Sequence, residues 1–600
     1  MKIKQIFLAI PFLLLHLSSC YAQPSLSKKE WLEDLATLEK RVYQNHVNPF
    51  WKNQKSEMDL LFASVKEKIN NTDEAKLEPE IIMTYFTQIL SQMSDGHSGV
   101  TTKSRNELFG LYNYNLSSFT QGLYVTRTDE SNKSILGSKV IKIDGMDIKE
   151  VKEKVISVST SYNEQAFKRF SNRYLESPTI LYGLEIAKSS KQVTLTLEAV
   201  NGSISTITFN KTNAKEQGKL KMITLNDIAE YPLPLYRQNL KNDYWFVYQP
   251  EKKYLYLNYI AIENNKKEPI EEFTKKLAET VAKEDFDKFI IDLRLNAGGD
   301  HFTAWPLLDL IMSNPKINKY GTLFVITGST TFSAATSFLE ALDCKTECIL
   351  AGTPPSDSPT YPAEDITEPL PNCKMEVRIS DEMWNYSLDD DTRIMIEPDL
   401  SVPLSFSDYT TGKDPVLDAI LNYKTATVET KTPNADKFIG RFLFGIDKTL
   451  EITNDNGVLK AIVKGRLNTI LIPDGENRFK TCIKGVYISF KNSNPEIHYP
   501  DGQGKVLSRL APTEFSAFDL LLSKKFDKAT EAYTELKKKY PDNININGAN
   551  LAGLAFYYLV ETKNFEVGNA LLKIATTLNP KSRVARNLAK GVSEMSKSRN

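Results

Sequence analysis

Residues 243–424 alternate short apolar runs with helical patterns, and this alternation constrains the fold more than any other feature of the chain. Residues 254–260, 289–293 and 323–326 are apolar runs of strand length. Between the first two, residues 270–281 carry apolar side chains at helical spacing. Strands separated by helices favour a mostly parallel sheet with helices packed on it, so the sequence predicts a layered α/β domain here.

The other regions predict further domains, because 600 residues exceed what one hydrophobic core accommodates. Residues 25–100 keep the apolar spacing of helices, and residues 110–215 are rich in strand patterns and turns. Residues 436–510 combine short strands with Asn-Gly and Asp-Gly turns. That pattern predicts a small antiparallel β domain.

Residues 512–595 form an all-helical tail with a weak internal repeat. Phe526 and Phe565 stand 39 residues apart, and so do Pro541 and Pro580. The repeat resembles tetratricopeptide units, although those are usually 34 residues long. A plain helical tail is the alternative interpretation.

The net charge of the chain and its first 22 residues indicate which partners it can bind and where in the cell it is located. Lys+Arg and Asp+Glu each number 75, so the chain has no basic footprint and we predict no binding of nucleic acid. Residues 1–22 have the charged, apolar and small-residue parts of a signal peptide, ending at Ala22. Residues 17–20 also resemble a lipoprotein box, in which Cys20 would carry lipid. Either route predicts an exported protein of the periplasm or cell envelope, with a lipid on Cys20 as its one link to a membrane.

Four cysteines follow the signal region, namely Cys344, Cys348, Cys373 and Cys482. A disulfide among the first three is compatible with an oxidising compartment. The spacing of Cys344 and Cys348 lacks a second Cys/His pair at a matching distance, so we predict no zinc site, and no other metal or cofactor. Residues 389–391, three aspartates, are interpreted as a solvated turn.

Ser333 is the candidate nucleophile. The stretch 330–338, TTFSAATSF, follows the apolar run 323–326 and opens a helical pattern. Ser333 therefore lies at the first turn of a helix, where unpaired N–H groups and the helix dipole favour negative charge. A serine there can act as a nucleophile when a base reaches it. An ordinary N-cap is the alternative role.

Gly298 and Gly299 directly follow the buried run 289–293. Glycines at such a place let backbone N–H groups approach a ligand with no Cβ in the way. Together with the N–H of Ala334 they could form an oxyanion hole. A simple turn from strand to helix is the alternative.

Histidines are scarce, which narrows the search for a general base. The signal region aside, the chain has His46, His97, His301 and His498. His46 lies in a helix-ending turn, and His498 is most simply a surface residue of the β domain. His97 follows the sharp Asp-Gly turn, and His301 follows the two glycines. The residues alone leave His97 and His301 as open alternatives.

Three motifs together resemble the tail-specific, or C-terminal-processing, serine peptidase family. They are residues 95–98, DGHS, residues 292–299, DLRLNAGG, and residues 331–335, TFSAA. The branch related to tricorn protease and retinoid-binding-protein-like modules is the most similar, over roughly residues 30–422. This resemblance implies a ClpP-like, or crotonase-like, core at 243–424, a helical N-terminal region and a PDZ-like domain at 110–215. Such a domain binds a peptide as an added strand at a sheet edge.

The resemblance also implies roles for single residues. The nucleophile of the family maps onto Ser333. Many members use a lysine further along the chain as base, but residues 353–362 contain none. The other branch uses a histidine from the N-terminal part, which maps onto His97 and favours it over His301. The implied function is an exported serine endopeptidase that hydrolyses polypeptides by a Ser–His mechanism without a cofactor.

The chain departs from the family at residues 352–357. Relatives often read Gly-Glu-Pro-Thr-Gly-Gly there, whereas this chain reads Gly-Thr-Pro-Pro-Ser-Asp. The departure, the β domain and the helical tail keep a second hypothesis, a weak or inactive peptidase-like protein that binds peptides or proteins. The C-terminal helices are the candidate site for a protein partner. An esterase or lipase is disfavoured, because no Gly-x-Ser-x-Gly motif surrounds Ser333.

Overall fold

The computed structural model describes residues 26–160, 163–386, 388, 391–425 and 429–598. Within these residues the protein is a multidomain α/β structure with several separate sheets. The predicted signal peptide at 1–22, with Cys20, lies outside the described residues. None of the described helices combines the length and apolar character needed to cross a membrane.

Three helices open the described chain: Lys28–Asn45, Lys55–Asn71 and Pro79–Ser91. The first begins at a capping box, in which Ser27 and Glu30 exchange side-chain and backbone hydrogen bonds. Its buried face presents Trp31, Leu35, Leu38 and Val42 at helical spacing. These side chains share one core with the following sheet region.

A seven-stranded sheet comes next. Five strands make up its main path, in the order Tyr114–Phe119, Gly122–Asp129, Lys139–Ile143, Gln192–Glu198 and Ile204–Asn210. Two short strands pair at its side, Met146–Asp147 and Met222–Thr224. The helices of this region are Thr102–Phe109, Ile148–Val155, Glu164–Leu175, Pro178–Gly183 and Ala214–Gln217. Strand Tyr114–Phe119 is an edge strand, and helix Glu164–Leu175 lies beside it, where Ser118 donates to Asn172 at 3.2 Å.

The central sheet has six strands. Their order is Leu400–Ser401, Ile349–Gly352, Leu323–Thr327, Lys288–Asp292, Tyr254–Tyr259 and Tyr244–Gln249. Every neighbouring pair is parallel except the last, which is antiparallel. The inner strands are buried on both faces, which explains why they read as continuous apolar runs. The helices of this region are Ile270–Lys283, Trp305–Ser313, Ala334–Lys345, Phe406–Thr410 and Pro415–Asn422.

The register of this sheet brings two of the sequence motifs together. Strands Lys288–Asp292 and Leu323–Thr327 are parallel neighbours, with Asp292 paired to Ile326. The chain therefore leaves both strands at the same edge of the sheet, the usual place for a ligand site in an open parallel sheet. Gly298 and Gly299 follow the first strand and Ser333 follows the second.

Small sheets connect the N-terminal helices to this core. Strand Gly99–Val100, two residues after His97, pairs with Glu376–Ile379, which also pairs with Ile366–Pro369. Strands Thr360–Ala363 and Glu382–Asn385 form a separate antiparallel pair. The segment that carries His97 is thus attached to the central region by a strand ladder.

Two antiparallel sheets follow the core. One has strands Gly440–Phe444, Lys448–Asp455, Val458–Val463 and Leu467–Ile470. The other has strands Ile472–Pro473, Arg478–Lys480, Tyr487–Lys491, Asn494–His498 and Gly504–Val506.

The C-terminal helices are Ala517–Leu522, Phe526–Lys539, Gly548–Phe556, Phe565–Leu578 and Arg583–Ser598. Two of them begin at Phe526 and Phe565, the phenylalanines of the 39-residue repeat. Their buried side chains belong to the same core cluster as the helix that follows Ser333. Arg583 pairs with Asp381 at 2.6 Å, which adds a polar link between the tail and the core.

Short 3-10 helices and one π-helical turn complete the structure. They are Glu74–Lys76, Glu130–Ile135, Ile156–Val158, Leu235–Arg237, Pro250–Lys252, His301–Ala304, Ala435–Phe438, Ile544–Ile546 and the π-turn Tyr557–Glu561.

Candidate active site

Ser333 has a strained backbone at the start of a helix. It is the N-cap of Ala334–Lys345 and has φ 55° and ψ −130°, a conformation that residues other than glycine rarely adopt. Its N–H donates to a carboxylate oxygen of Asp357 at 2.6 Å, and its carbonyl accepts from the hydroxyl of Tyr361 at 2.9 Å. These bonds hold the residue in the strained conformation. Strain of this kind is concentrated at functional sites.

His97 contacts the hydroxyl of Ser333. Its Nε2 lies 2.9 Å from Ser333 Oγ. The imidazole stacks on the ring of Phe332 at 4.4 Å between centroids and faces the ring of Tyr361 at 6.0 Å. Its Nδ1 is buried and has no hydrogen-bond partner in the described part of the chain. A neutral ring with its proton on Nδ1 would leave Nε2 as the acceptor for the serine hydroxyl.

Burial lowers the pKa of His97 from 6.5 to about 4. Asp95 opposes this shift, whereas Arg378 and Arg169 add to it. The ring is therefore neutral at pH 7, the form that a general base requires. A buried, perturbed histidine beside a strained serine is the arrangement expected of an activated nucleophile.

Asp95 organises the turn that carries His97. One of its carboxylate oxygens accepts from the N–H of His97 at 2.6 Å, the N–H of Ser98 at 2.8 Å and the hydroxyl of Ser380 at 3.1 Å. The other lies 2.9 Å from Nε2 of His46. Burial raises the pKa of Asp95, but the interactions with His46, His97 and Ser98 together outweigh burial and lower it to about 2. An ionised, fully bonded carboxylate thus holds the backbone of the histidine.

Neither of the two glycines has room for a side chain. Gly298 has φ 101°, and a Cβ there would lie 2.8 Å from Cβ of Ser333. Gly299 has φ 144°, and a Cβ there would lie 2.0 Å from the carbonyl oxygen of Ile262. The N–H of Gly298 donates to the side chain of Asn296 at 2.9 Å. The N–H groups of Gly299 and Ala334 donate to no group among the described residues. Of the three residues predicted for an oxyanion hole, these two keep free donors.

His301 lies in an aromatic cluster, where its ring contacts Phe302, Trp305, Trp384 and Tyr386. Burial lowers its pKa to about 3, and Lys345 adds to this effect. Its Nε2 is buried and unpartnered within the described residues. The structure therefore brings His97, and not His301, to the hydroxyl of Ser333.

The segment 352–357, where the chain departs from the family, packs against the nucleophile turn. The N–H of Ser356 donates to the carbonyl of Thr331 at 3.0 Å, next to the bond between Asp357 and Ser333. Sequence reasoning missed Asp357, Tyr361 and His46 as parts of the site. Asp357 lay in a segment marked as unusual, which was a usable signal, whereas no local pattern pointed to Tyr361 or His46.

Other sequence interpretations fall outside the site. Cys344, Cys348, Cys373 and Cys482 form no disulfide within the described residues. No group of three or more His, Cys, Asp or Glu within the described ranges could hold a metal ion. The prediction of a solvated turn at 389–391 was wrong for Asp391, which is buried and forms an ion pair with Arg393 at 2.8 Å. Residues 389 and 390 lie outside the described part.

Comparisons with known proteins found similar structures but no similar sequences. No protein-family model and no curated protein sequence matches the chain. Mature CPAF is similar at 13% identity and a TM-score of 0.47, over 66% of this chain and 98% of that chain. The photosystem II D1 C-terminal processing protease has 11% identity and a TM-score of 0.31, over 65% of this chain and 98% of that chain. Tricorn protease has 12% identity and a TM-score of 0.31, over 66% of this chain and 36% of that chain.

Two of these proteins, the C-terminal processing protease and tricorn protease, have the names used above for the family that the three sequence motifs resemble. Because all three TM-scores are below 0.5, we base the function on the geometry of the site.

Proposed function

We propose that the protein is an exported serine endopeptidase that hydrolyses polypeptides by a Ser–His mechanism. The observation that carries this proposal is the 2.9 Å separation of His97 Nε2 and Ser333 Oγ at a strained helix N-terminus. Serine is unreactive at its ordinary pKa, and a neutral imidazole at hydrogen-bond distance is the usual means of activating it.

The reaction begins with attack of Ser333 Oγ on the carbonyl carbon of the scissile peptide bond. His97 Nε2 takes the hydroxyl proton as the new bond forms and gives it to the leaving amine as the peptide bond breaks. A water molecule then attacks the acyl-enzyme. His97 takes the proton of that water and returns it to Ser333 as the acid product leaves.

The oxyanion is stabilised by backbone donors. The N–H groups of Gly299 and Ala334 are free to donate, and that of Ala334 also lies at the positive end of the helix dipole. Gly298 serves by its lack of a side chain, since a Cβ there would collide with Ser333. We assign these three residues to the oxyanion hole in those roles.

His97 is positioned through its backbone and its ring faces rather than by a carboxylate on Nδ1. Asp95 holds its N–H, and Phe332 stacks on the imidazole. The negative charges of Asp95 and Asp365 each raise the pKa of His97 against the larger effect of burial. They would therefore stabilise the imidazolium that forms when the ring takes the proton.

We also propose how the other regions contribute. The region 110–215 acts as a PDZ-like domain that receives substrate as a strand, and its edge strand Tyr114–Phe119 is the acceptor. The tetratricopeptide-like helices of residues 512–595 bind a protein partner. Residues 1–22 direct the chain to the periplasm or cell envelope, with Cys20 as the site of a lipid if it is a lipoprotein.

The test is hydrolysis of denatured casein by purified residues 23–600. Ser333→Ala should lose activity by at least about 10³-fold with unchanged circular dichroism. The matched control is Ser203→Ala, in the hairpin turn before strand Ile204–Asn210, which should keep full activity. If the folded wild type cleaves neither casein nor a proteome-derived peptide library, and the library still binds to Ser333→Ala, the peptide-binding alternative replaces this proposal.

A further inference from the structure

Two adjoining cavities lie beside the nucleophile turn. They have volumes of about 380 and 290 Å³. Both are lined by Ser117, Ser118, Lys168, Ser329 and Thr330. Because they share these residues, they form one groove bounded by the edge strand Tyr114–Phe119, helix Glu164–Leu175 and the loop before Ser333. We call this the 117–173 groove.

The larger cavity is positively charged. Lys168, Arg169 and Arg173 line it together with four hydroxyl side chains, and no acidic side chain is among its lining residues. The whole chain carries equal numbers of cations and anions, 75 each, so this is a local excess. Lys168 pairs with Glu164 at 2.7 Å, but both side chains are solvent-exposed, at 41% and 71%, and such pairs are weak.

Arg173 has an N–H group that is available to bind a ligand. Its Nε is buried and donates to no group of the described residues. The central carbon of its guanidinium lies 4.8 Å from the ring centroid of Phe170 and 5.1 Å from that of Tyr174, within the range of cation–π contacts. Burial raises the pKa of Tyr174, yet Arg173 and Arg105 together lower it below its ordinary value. The field at the Tyr174 hydroxyl, beside Arg173, is therefore positive.

The groove is within reach of the reacting bond. Arg169 donates to the carbonyl of Thr330 at 2.8 Å and lies 4.5 Å from the ring of Phe332, which stacks on His97. Thr330 and Ser333 are three residues apart, so their Cα atoms are separated by at most roughly 11 Å. An extended peptide rises about 3.3 Å per residue. A substrate side chain about three residues from the scissile bond can therefore enter the groove.

We propose that the 117–173 groove is a specificity subsite for an acidic side chain, Asp or Glu, of the substrate, with Arg173 and Lys168 as its determining residues. The role as a specificity subsite rests on the proposed peptidase function. Binding of an acidic peptide to the groove does not, because it can be measured without hydrolysis. Guanidinium and ammonium groups with neighbouring hydroxyls match the lone pairs of a carboxylate, and a planar guanidinium can bind it at two points.

Binding to the Ser333→Ala protein tests this without chemistry. The probes are fluorescent decapeptides of Ala, Ser and Leu, blocked at both termini, with a single Glu at one of six central positions and a matched Gln peptide for each. At one or two positions the Glu peptide should bind at least about tenfold more tightly than its Gln partner. The preference should disappear in Lys168→Gln/Arg173→Gln. It should weaken but remain detectable in Arg173→Lys, which keeps the charge and loses the planar guanidinium. It should be unchanged in the control Lys149→Gln, an exposed lysine outside the groove.

Three outcomes overturn the proposal: no Glu peptide binds, Glu and Gln peptides bind alike at every position, or the double variant keeps the preference. A further arm uses Gln peptides with a free C-terminal carboxylate. If only the peptides with a free C-terminus bind, the groove recognises the C-terminal carboxylate, and its assignment to an acidic side chain is wrong. Wild-type hydrolysis of the same peptides is measured separately, so a binding preference without hydrolysis would refute the peptidase and leave the subsite standing.

Discussion

Lowering the pH of the peptidase assay protonates His97, and the pH at which activity falls is the most specific prediction that follows from the site. Burial lowers the pKa of this ring from 6.5 to about 4. The difference corresponds to about 3 kcal/mol in favour of the neutral imidazole. Since a general base must be neutral, kcat/KM should stay level from pH 8 to about pH 5 and fall about tenfold per pH unit below pH 4.

The contrast with an ordinary histidine is largest near pH 5.5. A base with a pKa of 6.5 would be about nine-tenths protonated there, and kcat/KM would have fallen about tenfold. His97 should remain almost wholly neutral. Asp95, whose pKa is about 2, should stay ionised and continue to hold the turn over the same range.

The assay is kcat/KM between pH 3 and pH 8 on a blocked peptide without ionisable groups, with circular dichroism and tryptophan fluorescence recorded at each pH. The fold has to be followed because the lowered pKa of His97 also affects stability. Its contribution is fully present above pH 6.5 and is lost as the pH falls towards 4. An acidic limb centred near pH 6.5 in a folded protein would refute the buried, neutral base.

Three substitutions test other parts of the site. Gly299→Ala should lower kcat/KM by at least about 10²-fold, because a Cβ there meets the carbonyl of Ile262 and displaces an oxyanion donor; near-normal activity would exclude Gly299 from the hole. Asp95→Asn should lower the free energy of urea unfolding by about 2 kcal/mol and reduce kcat more than it changes KM, because an amide replaces the carboxylate that contacts His46 and accepts from the N–H of His97. Unchanged values of both would show that the pair does not position His97. His301→Phe should keep kcat/KM within about twofold, and its stability relative to wild type should rise as the pH falls from 6.5 to 4, because it removes a buried ring whose pKa is about 3. Loss of activity at full stability would return His301 to the list of candidate bases.

Sequence patterns identified the elements that position Ser333 because those elements are buried on both faces. The predicted runs 289–293 and 323–326 correspond to strands Lys288–Asp292 and Leu323–Thr327. Their burial leaves no polar face, so each appears as an uninterrupted apolar run followed by a motif. The proximity of Gly298 to Ser333 follows from the parallel pairing of these strands.

The choice between His97 and His301 could not be made from local pattern, because both follow a glycine turn. Tertiary contacts decide it. The strand after His97 pairs with residues of the central region, whereas His301 enters a cluster of four aromatic rings. Likewise, the contact of His46 with Asp95 joins residues 49 positions apart, and that of Asp357 with Ser333 joins residues 24 positions apart. Spacing within a single helix or strand carries no information about such pairs.

The central claim is that His97 activates Ser333, and a fluorophosphonate probe tests it most directly. Purified residues 23–600 are labelled as wild type, Ser333→Ala, His97→Ala and the control His301→Phe, and the modified peptide is identified by mass spectrometry. We predict an adduct on Ser333 in wild type and His301→Phe, and no labelling in Ser333→Ala or His97→Ala. Labelling of Ser333 at an undiminished rate in folded His97→Ala, or an adduct on another serine, would contradict the account.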